Sequence, residues 1–460
     1  MKRKIYNLIT LTSIFLLVAC ICCRLSYKKF DSSNIKKNID YISSEEFKGR
    51  LAGSSQNTLL AKKIENNFKD LKLKPLDDSY EDKFSTTIPK YTCEKSSLKL
   101  INKDNSTFEF TLGKDFKEDF LSFKKSSIQF TKDDQINIFS NGFSIYKDNI
   151  EYLFYVNLDK TFSFRSSFYE DSKYGFVIQI STNTFSKILD SLRDGAILDV
   201  DLPYTTSQEE IFNVVGMIEG YSKNLPPLIL TAHFDHVGED SLGNYYPGAL
   251  DNASGISFLL ELAKNYSSLR IPKRDIIFIA LNAEELGLKG SEAFASKYKD
   301  RFKGATVINF DMVGIDNYPI TLMSGKDSCN TDSPLLKDLR NICESNNLEL
   351  DKCFADSSDH ASFINNNFDA ITVSHCDLSN IHTPNDTSDK ISENALDSVY
   401  DVVNKEVFNL SYNDVFLLFY DNRTLILLIC YTSVLVCYGL IKRKKAKEKW
   451  DFIPEASFFV

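Results

Sequence analysis

Residues 228–255 read LILTAHFDHVGEDSLGNYYPGALDNASG, and this stretch decides the fold of the chain. Its apolar start, residues 228–231, predicts a buried strand that ends close to His233 and Asp235. A polar loop with glycines follows, and Asp251 stands just before the predicted start of a helix. Open α/β sheets hold their sites at the carboxyl ends of strands. We therefore expect this stretch to form half of a metal centre.

Strands and helices alternate around this stretch. Apolar runs predict strands at residues 213–218, 228–231, 275–282, 305–310 and 370–373. Helical spacing of apolar residues predicts helices at residues 254–266, 291–302, 334–345, 362–366 and 393–409. Such alternation is typical of an α/β fold with a mostly parallel mixed sheet between layers of helices. We assign this catalytic domain to residues 212–412.

Further candidate ligands follow the other strands or lie in a late loop. With the opening stretch they supply two histidines and three carboxylates, namely His233, His382, Asp251, Glu285 and Asp311. Taken alone, a carboxylate at a strand end is usually a helix cap or a loop hydrogen-bonding group, and a lone histidine in a polar loop is more often exposed. Together they suffice for two metals with one shared bridge, and mixed nitrogen and oxygen ligands suit zinc. Such a pair of metals can bind a water and polarise a carbonyl, and Glu284 is then a candidate general base.

Two segments precede the catalytic domain. Residues 33–83 show helical spacing and are predicted to form the N-terminal helical part of the same domain. Residues 84–211 alternate short β-type runs with polar turns, which predicts a separate β-rich module inserted into the chain. We call residues 84–211 the inserted module. None of its residues forms a recognisable chemical constellation in the sequence.

Both ends of the chain contain apolar segments next to basic residues. Residues 1–23 predict a signal, a lipoprotein leader or a retained membrane anchor. The letters LVAC, ending at Cys20, match a lipobox, in which Cys20 would be lipidated. Residues 424–441 predict a transmembrane helix, with a buried C-terminal helix as the alternative, and the basic residues 442–460 predict a cytoplasmic tail. The body is expected outside the cytoplasm at the cell membrane.

Composition excludes some classes of function. The 460 residues have a net charge of −9 although both ends are basic, which argues against a nucleic-acid partner. Half of the 10 cysteines lie in the apolar ends, and the others match no CxxC metal site. Several body cysteines fall between Cys329 and Cys376, so one or two disulfides can form if this region is outside the cell. The default expectation is that these cysteines are buried thiols acting as small apolar side chains. The sequence indicates no oligomeric state.

Six motifs now allow a comparison with known families. AHFDHVG, GALDNASG, AEELGLKGS, NFDMVG, SSDHASF and IHTPNDT occur in this order between residues 213 and 409. They resemble the co-catalytic zinc peptidase family that includes aminopeptidase Y and glutamate carboxypeptidase II. The turn LAGS at residues 51–54 is similar to the N-terminal part of that family. The inserted module resembles a protease-associated domain in position and size, although it lacks glycine-rich stretches.

The resemblance implies a zinc-exopeptidase fold with two zinc ions. His233 and Asp311 would bind one ion, Glu285 and His382 would bind the other, and Asp251 would bridge the two.

The resemblance also implies the catalytic roles. Glu284 would take a proton from the bridging water and pass it to the leaving amine, and Asp235 would orient His233. Residues 357–360, with Phe363, would line the substrate pocket. His236 and His375 are expected to be structural.

The function expected from these observations is that of a membrane-attached, extracytoplasmic zinc exopeptidase acting on peptides. An aminopeptidase is favoured, because a free α-amine is attracted to a site rich in carboxylates. The alternatives are a carboxypeptidase, an enzyme like glutaminyl cyclase on the same fold, and a non-catalytic receptor-like relative. No arginine for a substrate carboxylate can be placed, and the complete ligand set argues against the last two.

Overall fold

The computed structural model describes residues 2–92, 95–158, 161–328, 333–412 and 418–451. Their largest sheet is eight-stranded and mixed. In spatial order its strands are β1 (Glu81–Tyr91), β11 (Tyr204–Ile218), β13 (Ile276–Leu281), β12 (Leu228–His233), β14 (Thr306–Phe310), β17 (Asp369–Ser374), β15 (Ile320–Ser324) and β16 (Leu350–Phe354).

The centre of this sheet is parallel and its flanks are mixed. β13, β12, β14 and β17 run parallel to one another, whereas β11 joins β13 and β15 joins β17 in antiparallel pairs. All residues of β12 and β13 are buried, as expected for parallel strands covered on both faces. The predicted α/β fold with a mixed sheet is therefore confirmed.

Helices cover both faces of the large sheet. On one face, α2 (Ser32–Ile42), α3 (Ser55–Asp70), α5 (Gly255–Ser267), α7 (Pro334–Ser345) and α9 (Glu393–Ser411) share a core with Leu228, Leu230 and Ala232 of β12. On the other face, α6 (Lys289–Tyr298) and α8 (His360–Asn365) pack against Ile229 and Ile277. Alternate residues of one strand thus enter different cores, because side chains along a strand point to opposite faces.

Serines fix where several of these helices begin. The side chain of Ser54 accepts a hydrogen bond from the backbone N–H of Asn57 at 3.1 Å and caps α3. Ser333 caps α7 in the same way through the backbone N–H of Leu336, and Pro334 occupies the first turn, where its missing N–H costs nothing.

The inserted module is joined to the large sheet by a long ribbon. β1 and β11 pair in antiparallel register from Glu81↔Val214 to Tyr91↔Tyr204, so both ends of the module leave the sheet side by side. Beyond this ribbon lie a four-stranded and a five-stranded sheet with one helix. Their elements are β2 (Ser97–Ile101), β3 (Thr107–Glu109), β4 (Phe116–Asp119), β5 (Ser127–Phe130), β6 (Gln135–Phe139), β7 (Gly142–Lys147), β8 (Ile150–Val156), β9 (Tyr174–Ile180), α4 (Thr182–Asp194) and β10 (Ile197–Asp201).

The terminal apolar segments form two long helices that pack together. α1 (Lys2–Ser26) and α10 (Asn422–Asp451) are each long and apolar enough to cross a membrane, and both are largely exposed. Ser13 Oγ lies 2.5 Å from Thr432 Oγ1, and Cys20 Sγ lies 3.1 Å from the carbonyl oxygen of Phe419. The C-terminal end of α1 thus lies beside the N-terminal end of α10, so the two helices are antiparallel. The C-terminal helix is not buried in the body.

The body cysteines are described only in part. Cys343, Cys353 and Cys376 are free thiols. Cys93 and Cys329 lie outside the described residues, as do residues 452–460 of the predicted tail.

Candidate metal centre

The large sheet delivers the predicted site residues to one edge. His233 is the last residue of β12, Asp311 directly follows β14, and Glu285 follows β13 after a short turn. Asp251 lies in the short helical segment Ala249–Ser254 that precedes α5, and its peptide bond to the next residue is cis. Because the carboxyl ends of parallel strands meet at one edge, residues distant in sequence converge there.

One cluster consists of His233, Asp251 and Asp311. Nε2 of His233 lies 3.5 Å from Oδ1 of Asp251 and 3.5 Å from Oδ1 of Asp311. The three side chains can together hold a metal ion. Within the described part of the chain, both ring nitrogens of His233 and Oδ1 of Asp311 are buried without a hydrogen-bond partner. Burying polar atoms without partners costs free energy, and a bound ion would supply the missing partner.

A second cluster shares Asp251 with the first. Nε2 of His382 lies 3.1 Å from Oδ2 of Asp251 and 3.1 Å from Oε1 of Glu285. Nδ1 of His236 lies 2.8 Å from the same Oε1, so His236 is a direct partner of Glu285 and a member of this cluster. From the sequence, we expect His236 to have only a structural role. The sequence signal for this role is a second histidine, one position after Asp235.

The geometry of both clusters fits a tetrahedral metal. Bonds of the length that zinc makes to nitrogen and oxygen place neighbouring ligand atoms about 3.3 Å apart. The distances from Nε2 of His233 and Nε2 of His382 to the carboxylate oxygens of their clusters range from 3.1 to 3.5 Å. Those from Nδ1 of His236 are more unequal, 2.8 Å to Glu285 and 3.8 Å to Asp251. Asp251 directs Oδ1 to one cluster and Oδ2 to the other, which is the arrangement of a bridging carboxylate.

Backbone strain accompanies the ligands. His382, Ala283 and Met312 have φ angles of 53°, 59° and 56°, a left-handed conformation that costs residues other than glycine roughly 1–2 kcal/mol. Each residue is a ligand or lies within two positions of one. Strain of this kind persists where the surrounding structure enforces it, as at functional sites.

We call residues 234–251, between β12 and Asp251, the bridging loop. Outer hydrogen bonds hold this loop, and the sequence did not reveal them. The carboxylate of Asp386 accepts from the backbone N–H groups of Leu250 at 2.8 Å and Asp251 at 3.0 Å. Ser358, predicted as a pocket residue, donates to Oδ2 of Asp311 at 2.7 Å. Gly248 closes the loop with a φ of 57°, and a side chain there would collide with the backbone oxygen of Asp251.

Asp235 contacts a different part of the site from the one expected. Its carboxylate accepts from the backbone N–H groups of Glu284 at 3.1 Å and Glu285 at 3.2 Å. Nδ1 of His233 lies 3.8 Å from Oδ1, which is longer than a hydrogen bond. Asp235 therefore anchors the turn that bears both glutamates and lies beside His233.

Glu284 directly precedes the ligand candidate Glu285, and its side chain is half-buried. Desolvation raises the pKa of Glu284 well above its usual range, His233 opposes this rise, and the carboxylates of Glu285 and Asp359 add to it. Asp359 is buried, and its burial raises its pKa to about 6. Bound cations would lower both pKa values, because positive charge favours the ionised carboxylate.

Two further histidines named in the sequence analysis form hydrogen bonds to groups that are not candidate metal ligands. Nδ1 of His360 lies 2.8 Å from Oγ1 of Thr372, and Nδ1 of His375 accepts from the backbone N–H of Gly314 at 3.1 Å.

Comparison with known proteins finds relatives of the part of the chain that contains this site. The model of peptidase family M28 matches residues 213–407. Aminopeptidase YwaD of Bacillus subtilis is 29% identical over 206 residues, which are 43% of this chain and 44% of that protein. A vacuolar membrane protease of Clavispora lusitaniae is 38% identical over 90 residues, which are 20% of this chain and 8% of that protein. The chain thus spans less than half the length of these relatives.

A solved structure shows the same fold. The zinc aminopeptidase BSAP from Bacillus subtilis superposes with a TM-score of 0.56 at 20% identity, over 84% of this chain and 96% of that one. The residues of both clusters lie within the segment that matches the family model. Over residues 213–407, this chain is therefore similar to peptidase family M28.

Proposed function

We propose that the protein is a membrane-attached zinc exopeptidase, most specifically an aminopeptidase that hydrolyses the N-terminal peptide bond of its substrates. The observation that supports this function best is the division of Asp251 between two clusters, with Oδ1 3.5 Å from His233 and Oδ2 3.1 Å from His382. The relatives named above include an aminopeptidase and a membrane protease, and BSAP is named as a zinc enzyme.

The ligand assignment follows from the two clusters. His233 and Asp311 would hold one zinc ion, His382 and Glu285 would hold the other, and Asp251 would bridge them. Two zinc ions at these positions would polarise the scissile carbonyl and lower the pKa of a water. Glu284 is the acid–base residue: it accepts a proton from the attacking water and delivers it to the leaving nitrogen. Asp235 holds Glu284 in place through the backbone N–H of that residue.

The charges around the site favour a substrate with a free amine. Three ligand carboxylates offset most of the positive charge of two zinc ions. The carboxyl groups of Glu284, Asp235 and Asp359 are also close enough to interact electrostatically with His233. The buried arginines close to the site have other partners. Arg50 donates to backbone carbonyls, and Arg165 donates to the carbonyl of Glu239 at 2.6 Å. A substrate ammonium group is therefore better accommodated than a terminal carboxylate.

The membrane arrangement is part of the proposal. In an antiparallel pair of α1 and α10, the basic residues at 2–4 and 442–445 lie at the same end. Basic clusters next to membrane spans remain in the cytoplasm. Both ends of the chain would then be cytoplasmic, and the catalytic domain would lie outside the cytoplasm at the cell membrane.

Two measurements test the proposed function. Elemental analysis of the purified full chain in detergent should find about two zinc ions per chain. Peptides with a free N-terminus should be cleaved at the first bond, whereas the same peptides with an acetylated N-terminus should not. Cleavage that requires a free C-terminus instead would establish a carboxypeptidase, and a correctly folded chain with no bound zinc would refute the proposal.

A further inference from the structure

A short segment of the inserted module lies directly against two of the metal-ligand candidates. We call residues 164–168, which read FRSSF, the bridging segment. The hydroxyl of Ser167 donates to Oε2 of Glu285 at 2.6 Å, across 118 positions of sequence. The backbone carbonyl of Arg165 accepts from Nδ1 of His382 at 3.0 Å, across 217 positions. The inserted module therefore contacts the second cluster at Glu285 and at His382, the two ligand candidates that would bind only the second metal.

In the side chains of these two ligands, the bridging segment hydrogen-bonds to the outer atoms. Oε1 of Glu285 and Nε2 of His382 face each other at 3.1 Å inside the cluster, whereas Oε2 and Nδ1 point to the bridging segment. When Nδ1 of a histidine donates to a carbonyl, its proton is fixed there and Nε2 is left as the free electron-pair donor. The ring of Phe164 also stacks on that of His382, with centroids 6.1 Å apart and planes inclined by 18°.

Backbone hydrogen bonds tie the bridging segment to the same two ligands. The N–H of Arg165 donates to the carbonyl of His382 at 3.1 Å, and the N–H of Phe168 donates to the carbonyl of Glu285 at 2.9 Å. Each ligand residue is thus held by both its side chain and its main chain.

The inserted module fixes the bridging segment from behind. The carboxylate of Asp119 accepts from the backbone N–H of Ser166 at 2.7 Å and from its hydroxyl at 2.8 Å. The side-chain amide of Gln179 donates to the carbonyl of Phe164 at 2.8 Å. Asp119 ends β4 and Gln179 belongs to β9, so the position of the bridging segment is set by two paired strands.

A buried ion pair adds a second link between the inserted module and the catalytic domain. Nζ of Lys117 lies 3.2 Å from Oδ2 of Asp240, and both side chains are 1% exposed. Beside them, Glu118 accepts from the backbone N–H of Ser241 at 3.0 Å and from its hydroxyl at 2.6 Å. Because an unpaired buried charge is costly, the two parts keep one relative position.

We propose that the inserted module is a positioning element for the second metal, and that Ser167 is its positioning residue. This inference rests on the two-zinc site of the proposed function. Ser167 holds the outer oxygen of Glu285 so that Oε1 faces the metal position, while the carbonyl of Arg165 fixes the tautomer of His382. The first cluster, with His233 and Asp311, receives no such contact from the bridging segment. The two metal positions therefore differ in their dependence on the inserted module.

Zinc affinity provides the test. In the full chain, Ser167→Ala should lower the zinc affinity of one position about 10- to 100-fold, as removal of outer partners of metal ligands does. Competition with a chromogenic chelator measures both affinities, and the affinity of the other position should be unchanged. Ser167→Thr, which keeps the hydroxyl, should restore the lost affinity. Ser163→Ala is the matched control. Its hydroxyl lies 3.1 Å from that of Thr161, two positions away in sequence, and Ser163 is outside the bridging segment.

The outcomes separate this inference from the proposed function. A wild-type chain that binds fewer than two zinc ions refutes the two-zinc site itself. A wild-type chain with two ions and a Ser167→Ala variant with unchanged affinities overturns only the inference. Equal weakening at both positions, or a lower melting temperature of the metal-free variant, would show general structural damage and would overturn it as well.

Discussion

The two oxygens of Asp251 face different partners, because Oδ1 lies 3.5 Å from Nε2 of His233 and Oδ2 lies 3.1 Å from Nε2 of His382. A residue placed in this way contributes to both clusters, whereas each histidine contributes to one. The consequence is an asymmetry between substitutions. Loss of the bridging Asp251 should therefore release more metal than loss of a ligand that serves one cluster.

We expect Asp251→Ala to remove both zinc ions and His233→Ala to remove mainly one. Removing the bridge deprives each cluster of a carboxylate oxygen, but removing His233 leaves His382, Glu285 and Asp251 together. Zinc per chain, measured by mass spectrometry after dialysis against a fixed concentration of free zinc, distinguishes these results. If Asp251→Ala keeps two ions, the shared bridge is wrong.

Glu284 differs from the ligands in its expected phenotype. Glu284→Gln removes the proton acceptor and retains the shape of the side chain, so kcat should fall about 10²- to 10⁴-fold while both zinc ions remain bound. Kinetics on a peptide with a free N-terminus, together with metal analysis of the same sample, measures both effects. Glu292→Gln, on the exposed face of α6, is the control and should leave kcat unchanged. An active Glu284→Gln enzyme would remove Glu284 from the mechanism.

At the scale of elements, a single buried arginine joins the turn before α3 to the bridging loop. Arg50 is fully buried, and burial lowers its pKa to about 10, so it remains charged at neutral pH. Its guanidinium donates to the carbonyls of Phe234 at 2.9 Å, Pro247 at 2.6 Å and Gly248 at 2.7 Å. These carbonyls lie on both sides of the polar loop between β12 and α5. The N-terminal helical part is thus connected to the metal centre.

Arg50→Met should therefore lower the free energy of unfolding by about 3 kcal/mol or more, because several buried carbonyls lose a charged donor. Urea unfolding of the metal-free chain measures the loss. Lys48→Met is the control on the same turn: its ion pair with Glu239, at 3.6 Å, is half exposed and contributes little. Equal stability of the two variants would show that the contacts of Arg50 do not hold the loop.

The sequence predicted some elements well for a physical reason. β12, β13 and β14 are short apolar runs bounded by polar turns, and α7 begins at a serine cap followed by Pro334, so local signals suffice. β16, Leu350–Phe354, reads LDKCF and is mostly exposed or half-buried, and such an edge strand has no apolar run to reveal it. Ser167, Arg50 and Asp386 act on residues far away in sequence. Their contacts exist only after folding, so no local pattern could predict them.

At the scale of the whole molecule, the pairing of α1 with α10 favours a retained N-terminal anchor over lipidation of Cys20. Cys20 is fully buried against the carbonyl of Phe419, and Ser13, one of the few buried residues of α1, meets Thr432. Cleavage before Cys20 would remove the part of α1 that contains Ser13. A polar contact between two apolar helices is stabilised where water is absent, which supports pairing within a membrane.

A disulfide experiment on intact membranes decides between these states. In a chain with Cys22, Cys23, Cys430 and Cys437 replaced by alanine, Ser13→Cys with Thr432→Cys should form a disulfide under mild oxidation, because the two hydroxyl oxygens lie 2.5 Å apart. Mass spectrometry of the digested protein detects the linked peptides. Cys20 stays in place, so that lipidation remains available to the chain.

The control pair uses the opposite side of the same helix. Phe15 is 71% exposed on α1, so Phe15→Cys with Thr432→Cys should give little or no linked peptide. Equal linkage of both pairs would mean random collision within the membrane and would contradict a defined helix pair. A mature chain that begins with a lipidated Cys20 would contain neither position 13 nor position 15. That result would establish the lipoprotein and leave α10 as the remaining candidate membrane span of the described chain.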